Sequence, residues 1–179
     1  TKIWDVKTGK KISTTKRHHA ATMNAIYSNL GNKIITYSFE NDAKIWDAKN
    51  GKIYATLLGH TGEIKSAKFS ADEKTVVTCA TDQSARLWDA TTGKLLMVFK
   101  GHTQDIWQAD FSKNFCDSIH PEPSIFIIYD KDIKIKDAYR GNVLADLSGH
   151  KMEITSVALS VDGTHLASAS NDKTSRLCD

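Results

Sequence analysis

The feature that most constrains this chain is an internal repeat. Trp4, Trp46 and Trp88, each followed by an aspartate, stand 42 residues apart. Lys136, 48 residues after Trp88, occupies the equivalent position of the next repeat, and Cys178 occupies it 42 residues further on. A histidine follows each of the first four positions by 14 residues, namely His18, His60, His102 and His150. Several features in fixed phase over four periods indicate a fold of repeated units that bury their surfaces against one another.

Each period contains the pattern of four short strands. After His60, residues 76–80 are β-branched or small, residues 85–88 alternate in polarity, and residues 94–99 are mostly apolar. Gly93 provides a tight turn before the last of these segments. No segment shows a sustained helical period. Four-stranded units of about 40–45 residues predict an all-β fold, a β-propeller of four-stranded antiparallel blades.

These motifs make the chain resemble the WD-repeat β-propeller family, and the resemblance covers essentially all 179 residues. In that family a buried hydrogen-bonded tetrad of His, Ser or Thr, Asp and Trp holds each blade together. The resemblance implies a complete tetrad at His60, Thr78, Asp82 and Trp88. It implies another, with an acid one methylene longer, at His18, Thr36, Glu40 and Trp46.

Two further tetrads are incomplete by the same comparison. One retains His150, Ser168 and Asp172 but has Cys178 at the tryptophan position. The other retains His102 and Asp130 but has Phe126 and Lys136 at the threonine and tryptophan positions. Buried polar groups stabilise a blade only when their partners are present. We therefore expect the blade with two replacements to be the most distorted and mobile.

About four blades are present, and residues 1–179 are interpreted as a single propeller segment. The repeat units span about residues 6–47, 48–89, 90–137 and 138–179, with residues 1–5 ending a preceding repeat. Most propellers have roughly four to eight blades, so we expect this arc to be part of a larger ring, with the remaining blades in a longer chain. The longest unit has six extra residues. They form a tolerated surface insertion or, through Phe115 and Ile119, a partner-contact loop.

Composition narrows the class of protein further. Lys and Arg total 24 against 21 Asp and Glu, and a net charge of +3 is too mild to predict nucleic-acid binding. The apolar run 125–129 is too short to cross a bilayer, so we expect no membrane partner. Cys79, Cys116 and Cys178 have no short paired spacing. We expect reduced thiols and a cytoplasmic location, with the nucleus as the alternative.

Each unit combines a histidine, a hydroxyl residue and an acid, which is also the composition of a hydrolase triad. A triad serves one nucleophile, however, and is not copied in every repeat. The sequence has no Gly-rich phosphate loop and no GxSxG or HExxH motif. His18 and His19 have no second His or Cys pair at the spacing of metal ligands. We therefore expect a non-enzymatic protein without a cofactor or metal.

The resemblance also implies where partners dock, because propellers of this family usually bind them on the narrow face around the central channel. Three positions per repeat point there: the third and fifth residues after the tetrad histidine, and the residue before the tetrad acid. Eight of them are predicted to bind the partner, namely Met23, Phe39, Glu63, Lys65, Asp105, Trp107, Tyr129 and Glu153. The others are Ala21, Thr81, Thr155 and Asn171. Aromatic groups beside acids predict a protein or peptide partner with basic side chains.

Two other functions remain open from the sequence alone. One is a sensor or regulatory repeat domain within a larger multidomain signalling protein. The other is association with a ribonucleoprotein through basic outer edges such as Lys7, Lys10, Lys11, Lys16 and Arg17. A steep salt dependence of binding would indicate phosphate contacts, whereas a peptide pocket would show a shallow one.

Overall fold

The computed structural model describes residues 1–15, 18, 20–39, 41–112, 124–160 and 165–178. All regular structure in these ranges is β-strand, which confirms the predicted all-β class. None of the described residues belongs to a helix that could cross a membrane. The strands form five separate antiparallel sheets that follow one another along the chain.

The chain begins with a two-stranded sheet, the half blade, formed by β1 (Lys2–Trp4) and β2 (Lys11–Thr14). The first blade contains β3 (Thr22–Tyr27), β4 (Lys33–Ser38), β5 (Asp42–Asp47) and β6 (Ile53–Leu58). The second blade contains β7 (Ile64–Phe69), β8 (Thr75–Ala80), β9 (Ala85–Asp89) and β10 (Leu95–Phe99).

The third blade contains β11 (Ile106–Ser112), β12 (Ser124–Tyr129), β13 (Asp132–Asp137) and β14 (Val143–Leu147). The fourth blade has three strands, β15 (Ile154–Leu159), β16 (Leu166–Ser170) and β17 (Ser175–Cys178). Strands pair in chain order within every blade, so each blade is a simple meander. The repeat in the sequence and the blade in space are offset by one strand, because each Trp-Asp pair ends a third strand.

The turn after each Trp-Asp pair explains why the aspartate recurs. Asp47 Oδ1 accepts hydrogen bonds from the backbone N–H groups of Lys49 (2.7 Å) and Asn50 (3.0 Å). Gly51 then adopts φ 68°, a left-handed conformation that disfavours residues with a Cβ. A Cβ at Gly51 would lie 2.8 Å from the carbonyl oxygen of Thr14 in the neighbouring sheet. The turn therefore requires glycine both for its conformation and for the close approach of two sheets.

The hydrophobic core lies between neighbouring sheets and is not gathered in one centre. Ile35 and Ile45 of the first blade pack with Ile64 and Trp88 of the second. Leu87 of the second blade faces the third in another buried cluster. Apolar groups of the third and fourth blades form one more, and Ile3 joins the half blade to the first. The first, second and third blades therefore depend on both neighbours for burial, as in other repeat proteins.

Candidate functional site

A chain of hydrogen bonds crosses the interior of the second blade. Trp88 Nε1 donates to Thr78 Oγ1 at 2.8 Å, and Thr78 Oγ1 lies 2.7 Å from His60 Nε2. His60 Nδ1 lies 2.9 Å from Asp82 Oδ2. The loop before β7, strand β8, the loop after β8 and strand β9 each contribute one of the four groups. The geometry brings together the complete tetrad predicted for this repeat.

The pKa shifts show how this network is oriented. Burial lowers the pKa of His60, so its ring is neutral at pH 7. Burial alone would raise the pKa of Asp82, but hydrogen bonds from Ser84, Thr61 and His60 hold it below its ordinary value. The ionised carboxylate of Asp82 accepts a hydrogen bond from His60 Nδ1–H. The unprotonated Nε2 of the same ring then accepts a hydrogen bond from the hydroxyl group of Thr78. Every donor thus points in one direction, from the indole to the carboxylate.

The first blade has a related network. Thr36 Oγ1 lies 2.7 Å from His18 Nε2 and accepts from Trp46 Nε1 at 2.7 Å. The predicted acid, Glu40, lies outside the described residues. Asp42 Oδ1 lies 3.4 Å from His18 Nδ1, and its other oxygen pairs with Lys44 at 2.7 Å. Asp42 stands at the repeat position of Ser84, two residues after that of the tetrad acid, and Lys44 Nζ also lies 3.3 Å from His18 Nδ1. The assignment of Glu40 to the tetrad stays a prediction.

The fourth blade has three members of the tetrad. His150 Nε2 lies 2.8 Å from Ser168 Oγ, and His150 Nδ1 lies 2.9 Å from Asp172 Oδ2. Cys178, at the tryptophan position, lies opposite Leu166 in the β16–β17 ladder. The polar half of the network is therefore assembled without an indole.

The third blade has no such network among the described residues, as the two replacements predicted. His102 is buried, its Nδ1 lies 3.3 Å from the carbonyl oxygen of Gln83, and its Nε2 has no described hydrogen-bond partner. Lys136, also buried, turns its ammonium to the carbonyl oxygen of Lys100 at 2.8 Å. The four strands nevertheless pair in regular order, so the distortion expected for this blade is absent from its pairing. Its greater mobility stays a prediction.

A β-bulge near the start of each blade's first strand presents one predicted rim residue. The register shifts across Met23 in β3, Lys65 in β7, Trp107 in β11 and Thr155 in β15. A bulge leaves its extra residue outside the regular alternation of a strand and re-aims that side chain. The fifth residue after each tetrad histidine therefore occupies the same special backbone position in all four blades.

In three of the four repeats, the other two predicted positions are backbone neighbours. The N–H of the residue before the tetrad acid donates to the carbonyl of the third residue after the histidine, in the pairs Phe39–Ala21 (3.4 Å), Thr81–Glu63 (3.0 Å) and Asn171–Glu153 (2.9 Å). Glu63 N–H also donates to Thr81 Oγ1 at 2.9 Å. The structure thus brings the predicted residues of a repeat to one edge of its blade, here named the rim.

Two blades are connected across the rim by one cation. Lys65 Nζ lies 2.9 Å from Glu63 Oε2 and 5.3 Å from the centre of the Trp107 ring. Trp107 nonetheless remains 48% exposed. Met23 and Phe39 are also about half exposed on the first blade. Asp105 and Glu153 form no ion pair with any described residue. The rim therefore combines accessible apolar groups with two available carboxylates.

Tyr129 differs from its predicted place on the rim. It is buried in the cluster between the second and third blades, and its ring centre lies 5.0 Å from that of His102. The residue fills space beside a histidine that lacks its usual partner. Lys134 lies over its ring at 5.5 Å. Tyr129 is thus a packing residue, and the accessible aromatic groups of the predicted set are Phe39 and Trp107.

A cavity of about 430 Å³ lies at the edge of the blades opposite the rim, beside the last residues of β3, β7 and β11. Its lining includes the aromatic rings of Tyr27, Phe69 and Phe111 together with Asp72 and Asp110. Sequence reasoning missed this cavity because the spacing of the repeat marks single positions and does not show how strand ends converge. It is the main structural alternative to the rim as a docking place.

Meandering four-stranded sheets, stacked side by side and held by buried His–Thr–Asp–Trp networks, define an arc of propeller blades. The family model of the WD domain, G-beta repeat, matches residues 51–89 and 141–179. These two stretches of the chain are therefore WD repeats, and the fold of the chain is consistent with a WD-repeat propeller segment. The two matched stretches contain the tetrads of His60 and His150. No match was found among curated protein sequences.

Solved structures show the same fold. The chain is similar to the computationally designed Ika8 protein, with a TM-score of 0.83 and 25% identity over 98% of this chain and 51% of that one. It is also similar to the computationally designed Ika4 protein, with a TM-score of 0.78 and 24% identity over 96% of this chain and 98% of that one. The chain thus spans about half the length of Ika8 and nearly all of Ika4.

Proposed function

We propose that this protein is a non-enzymatic interaction scaffold that binds a protein or peptide partner on the rim. WD repeats generally mediate protein–protein interaction. The observation that carries the proposal is Trp107, a half-exposed indole placed by a β-bulge at the same backbone position as Met23 and Lys65. Trp107 stands at a different repeat position from the tetrad tryptophans. Large exposed aromatic groups of this kind are common binding hot spots.

The partner supplies a basic side chain. Glu63 is already paired with Lys65, so the carboxylates that can receive a lysine or arginine are Asp105 and Glu153. Asp105 lies two residues before Trp107 and Glu153 lies on the next blade. A partner that places an apolar group on Trp107 and a cation beside these acids would satisfy both features. The charges would mainly steer encounter and set register, while the aromatic contact supplies most of the affinity.

A scaffold role agrees with the positions of the groups that resemble a hydrolase triad. His60 and His150 are buried, and both of their ring nitrogens are engaged in hydrogen bonds within the blades. The described residues contain no cluster of three or more potential metal ligands. Cys79 and Cys178 are free thiols, which supports a reducing, cytoplasmic location. We further propose that blades outside residues 1–179 complete the ring.

Selection of binding peptides tests the site. Peptides are selected from a random display library with the wild-type chain as bait, and their affinities are then measured for variants. We expect the selected peptides to be rich in Lys or Arg. Trp107→Ala should weaken their binding by about 2 kcal/mol, roughly 30-fold, with an unchanged melting temperature.

Lys10→Ala, a change on the exposed outer edge, is the control and should alter the binding free energy by less than about 0.5 kcal/mol. Binding that survives Trp107→Ala but is lost with Tyr27→Ala would place the contact at the cavity of the opposite edge. Loss on deleting residues 114–120, which lie outside the described residues, would place it on the insertion. Either result contradicts the rim assignment.

A further inference from the structure

One carboxylate of the rim has only one of its two oxygens paired. Glu63 Oε2 lies 2.9 Å from Lys65 Nζ, whereas Glu63 Oε1 is buried and has no described hydrogen-bond partner. The side chain as a whole is partly exposed. A buried acceptor without a donor costs free energy, because it has lost its contact with water and has no bond in exchange. The carboxylate of Glu63 can therefore accept a further N–H that Lys65 does not donate.

The backbone of the second blade holds this carboxylate in place. Glu63 N–H donates to Thr81 Oγ1 at 2.9 Å, and Thr81 N–H donates to the Glu63 carbonyl oxygen at 3.0 Å. A Cβ on the preceding Gly62 would lie 2.5 Å from Thr81 Oγ1 and 2.6 Å from the backbone nitrogen of Asp82. The loop before β7 therefore packs directly on the turn after β8. This packing fixes the root of the Glu63 side chain in advance, which lowers the entropic cost of binding a ligand there.

The Trp107 indole of the third blade forms the other side of the same place on the rim. Lys65 Nζ lies 5.3 Å from the centre of its ring, within the range of a cation–π contact. One ammonium group thus contacts a carboxylate of its own blade and the aromatic face of the next blade. A carboxylate beside an aromatic face is also the pair of groups that suits a guanidinium, which binds the first through a fork of N–H donors and stacks on the second.

A guanidinium matches these two groups better than the ammonium of Lys65 does. A lysine presents a compact point charge, and this one pairs with a single oxygen of Glu63. An arginine presents two parallel N–H groups, one for each carboxylate oxygen, and so donates the hydrogen bond that Oε1 lacks. Its planar group also stacks on an indole, whereas an ammonium contacts the ring through its charge alone.

We propose that Glu63 and Trp107 form a subsite for the guanidinium group of an arginine, here named the arginine subsite, and that Lys65 closes it as a competitor within the chain. The inference rests on the proposed function of the rim and names the residue that decides where a partner's basic side chains bind. With Lys65 in place, the partner's cation binds at Asp105 or Glu153. Without Lys65, the rim has a further cation site that prefers arginine to lysine.

The backbone position of Lys65 accepts other side chains, so the competitor can be removed without rebuilding the blade. Met23 occupies the equivalent bulge of the first blade and Thr155 that of the fourth. Lys65→Met and Lys65→Thr therefore copy residues that this position already has elsewhere in the chain. The ion pair that they remove is partly exposed, and pairs of that kind contribute little to stability. Both variants should melt close to the wild-type temperature.

Binding of N-acetyl-arginine methylamide tests the arginine subsite without a peptide partner. The indole N–H signal of Trp107 in NMR spectra, assigned by its loss in Trp107→Ala, reports binding. Lys65→Met should bind this probe about tenfold more tightly than the wild-type chain does, and should bind N-acetyl-lysine methylamide about threefold more weakly than the arginine probe. Lys94→Met is the matched control, because it removes the same charge from an exposed position on the same blade, and it should bind like the wild type.

Glu63→Gln added to Lys65→Met should abolish the gain, because the amide offers one acceptor and no charge. The proposal is overturned if neither Lys65→Met nor Lys65→Thr binds the arginine probe better than the wild type, or if the gain survives Glu63→Gln. A lower melting temperature without a gain in binding would show that Lys65 serves only to join two blades. The probe decides this inference alone, whereas selected peptides that ignore Trp107→Ala contradict only the proposed function.

Discussion

The second and third blades have the same four strands in the same order, but different interiors. The second contains a full polar network from Trp88 to Asp82. In the third, Phe126 and Lys136 replace two members, and His102 keeps a buried nitrogen without a described partner. The ladder of main-chain hydrogen bonds is regular in both. The tetrad is thus not required to form a blade.

The comparison also shows what replaces the network. In the third blade Phe126, Ile128, Ile133 and Ile135 form a continuous apolar cluster with the fourth blade. Burial of such side chains contributes about 1.5–3 kcal/mol each, which is comparable with a buried hydrogen-bond network. The third blade lacks directional side-chain interactions in its interior. Apolar contacts tolerate small shifts of the side chains, whereas a hydrogen bond does not. The bulge that carries Trp107 forms in the third blade as it does in the others, so the rim position does not depend on a complete tetrad.

The largest difference between the two blades should appear in protein stability when the tetrad histidine of each is replaced. His60→Ala should lower the free energy of unfolding by about 2–4 kcal/mol, because it removes one hydrogen-bond partner from each of buried Thr78 and Asp82 and leaves a cavity between them. His102→Ala should lower it by about 1 kcal/mol or less, since the lost packing is offset by removal of an unsatisfied nitrogen. Urea unfolding at pH 7 measures both. Equal losses in the two variants would show that the third blade has a network of its own.

The pH dependence of stability provides a second, smaller distinction. Burial and the neighbouring charge of Lys136 lower the pKa of His102 to about 4, against an ordinary value near 6.5. The unfolded chain therefore binds the proton first, and the contribution of His102 to stability is lost as pH falls from about 6.5 towards 4. His102→Gln should flatten the dependence of unfolding free energy on pH between 7 and 5. An unchanged slope would mean that His102 titrates normally in the folded state.

Hydrogen exchange should reveal the smallest difference. β8 and β12 are equivalent second strands and are buried along their whole length. If the tetrad restricts local opening, the amides of β12 should exchange faster than those of β8, by about an order of magnitude. Mass spectrometry of peptides from the two strands under native conditions gives the comparison. Slower exchange in β12 would mean that apolar packing alone stabilises a blade better than the tetrad does.

The periodicity was enough to predict the four-stranded units, and the family resemblance added the complete tetrad around His60 and the broken one around His102. The resemblance also pointed to the positions that the structure places at the bulges, at a constant spacing from each tetrad histidine. The sequence reasoning missed the contact of Asp42 with His18, because Asp42 stands at the repeat position of Ser84 and not at that of a tetrad acid. It misplaced Tyr129, since a single sequence does not show that a neighbouring histidine leaves room for its ring.

The sequence by itself determined the class of fold, because each unit is a local meander whose turns, strands and tetrad follow from residues fewer than 50 apart. Contacts between units were decided only in the tertiary structure. The pairing of Lys65 with both Glu63 and the Trp107 ring joins two blades, and it changes which acids remain available to a partner. The same holds for the cavity beside Ser168, which is lined by residues of the third and fourth blades. Such features depend on how blades are inclined to one another, and that angle results from the sum of many packing contacts that no single motif encodes.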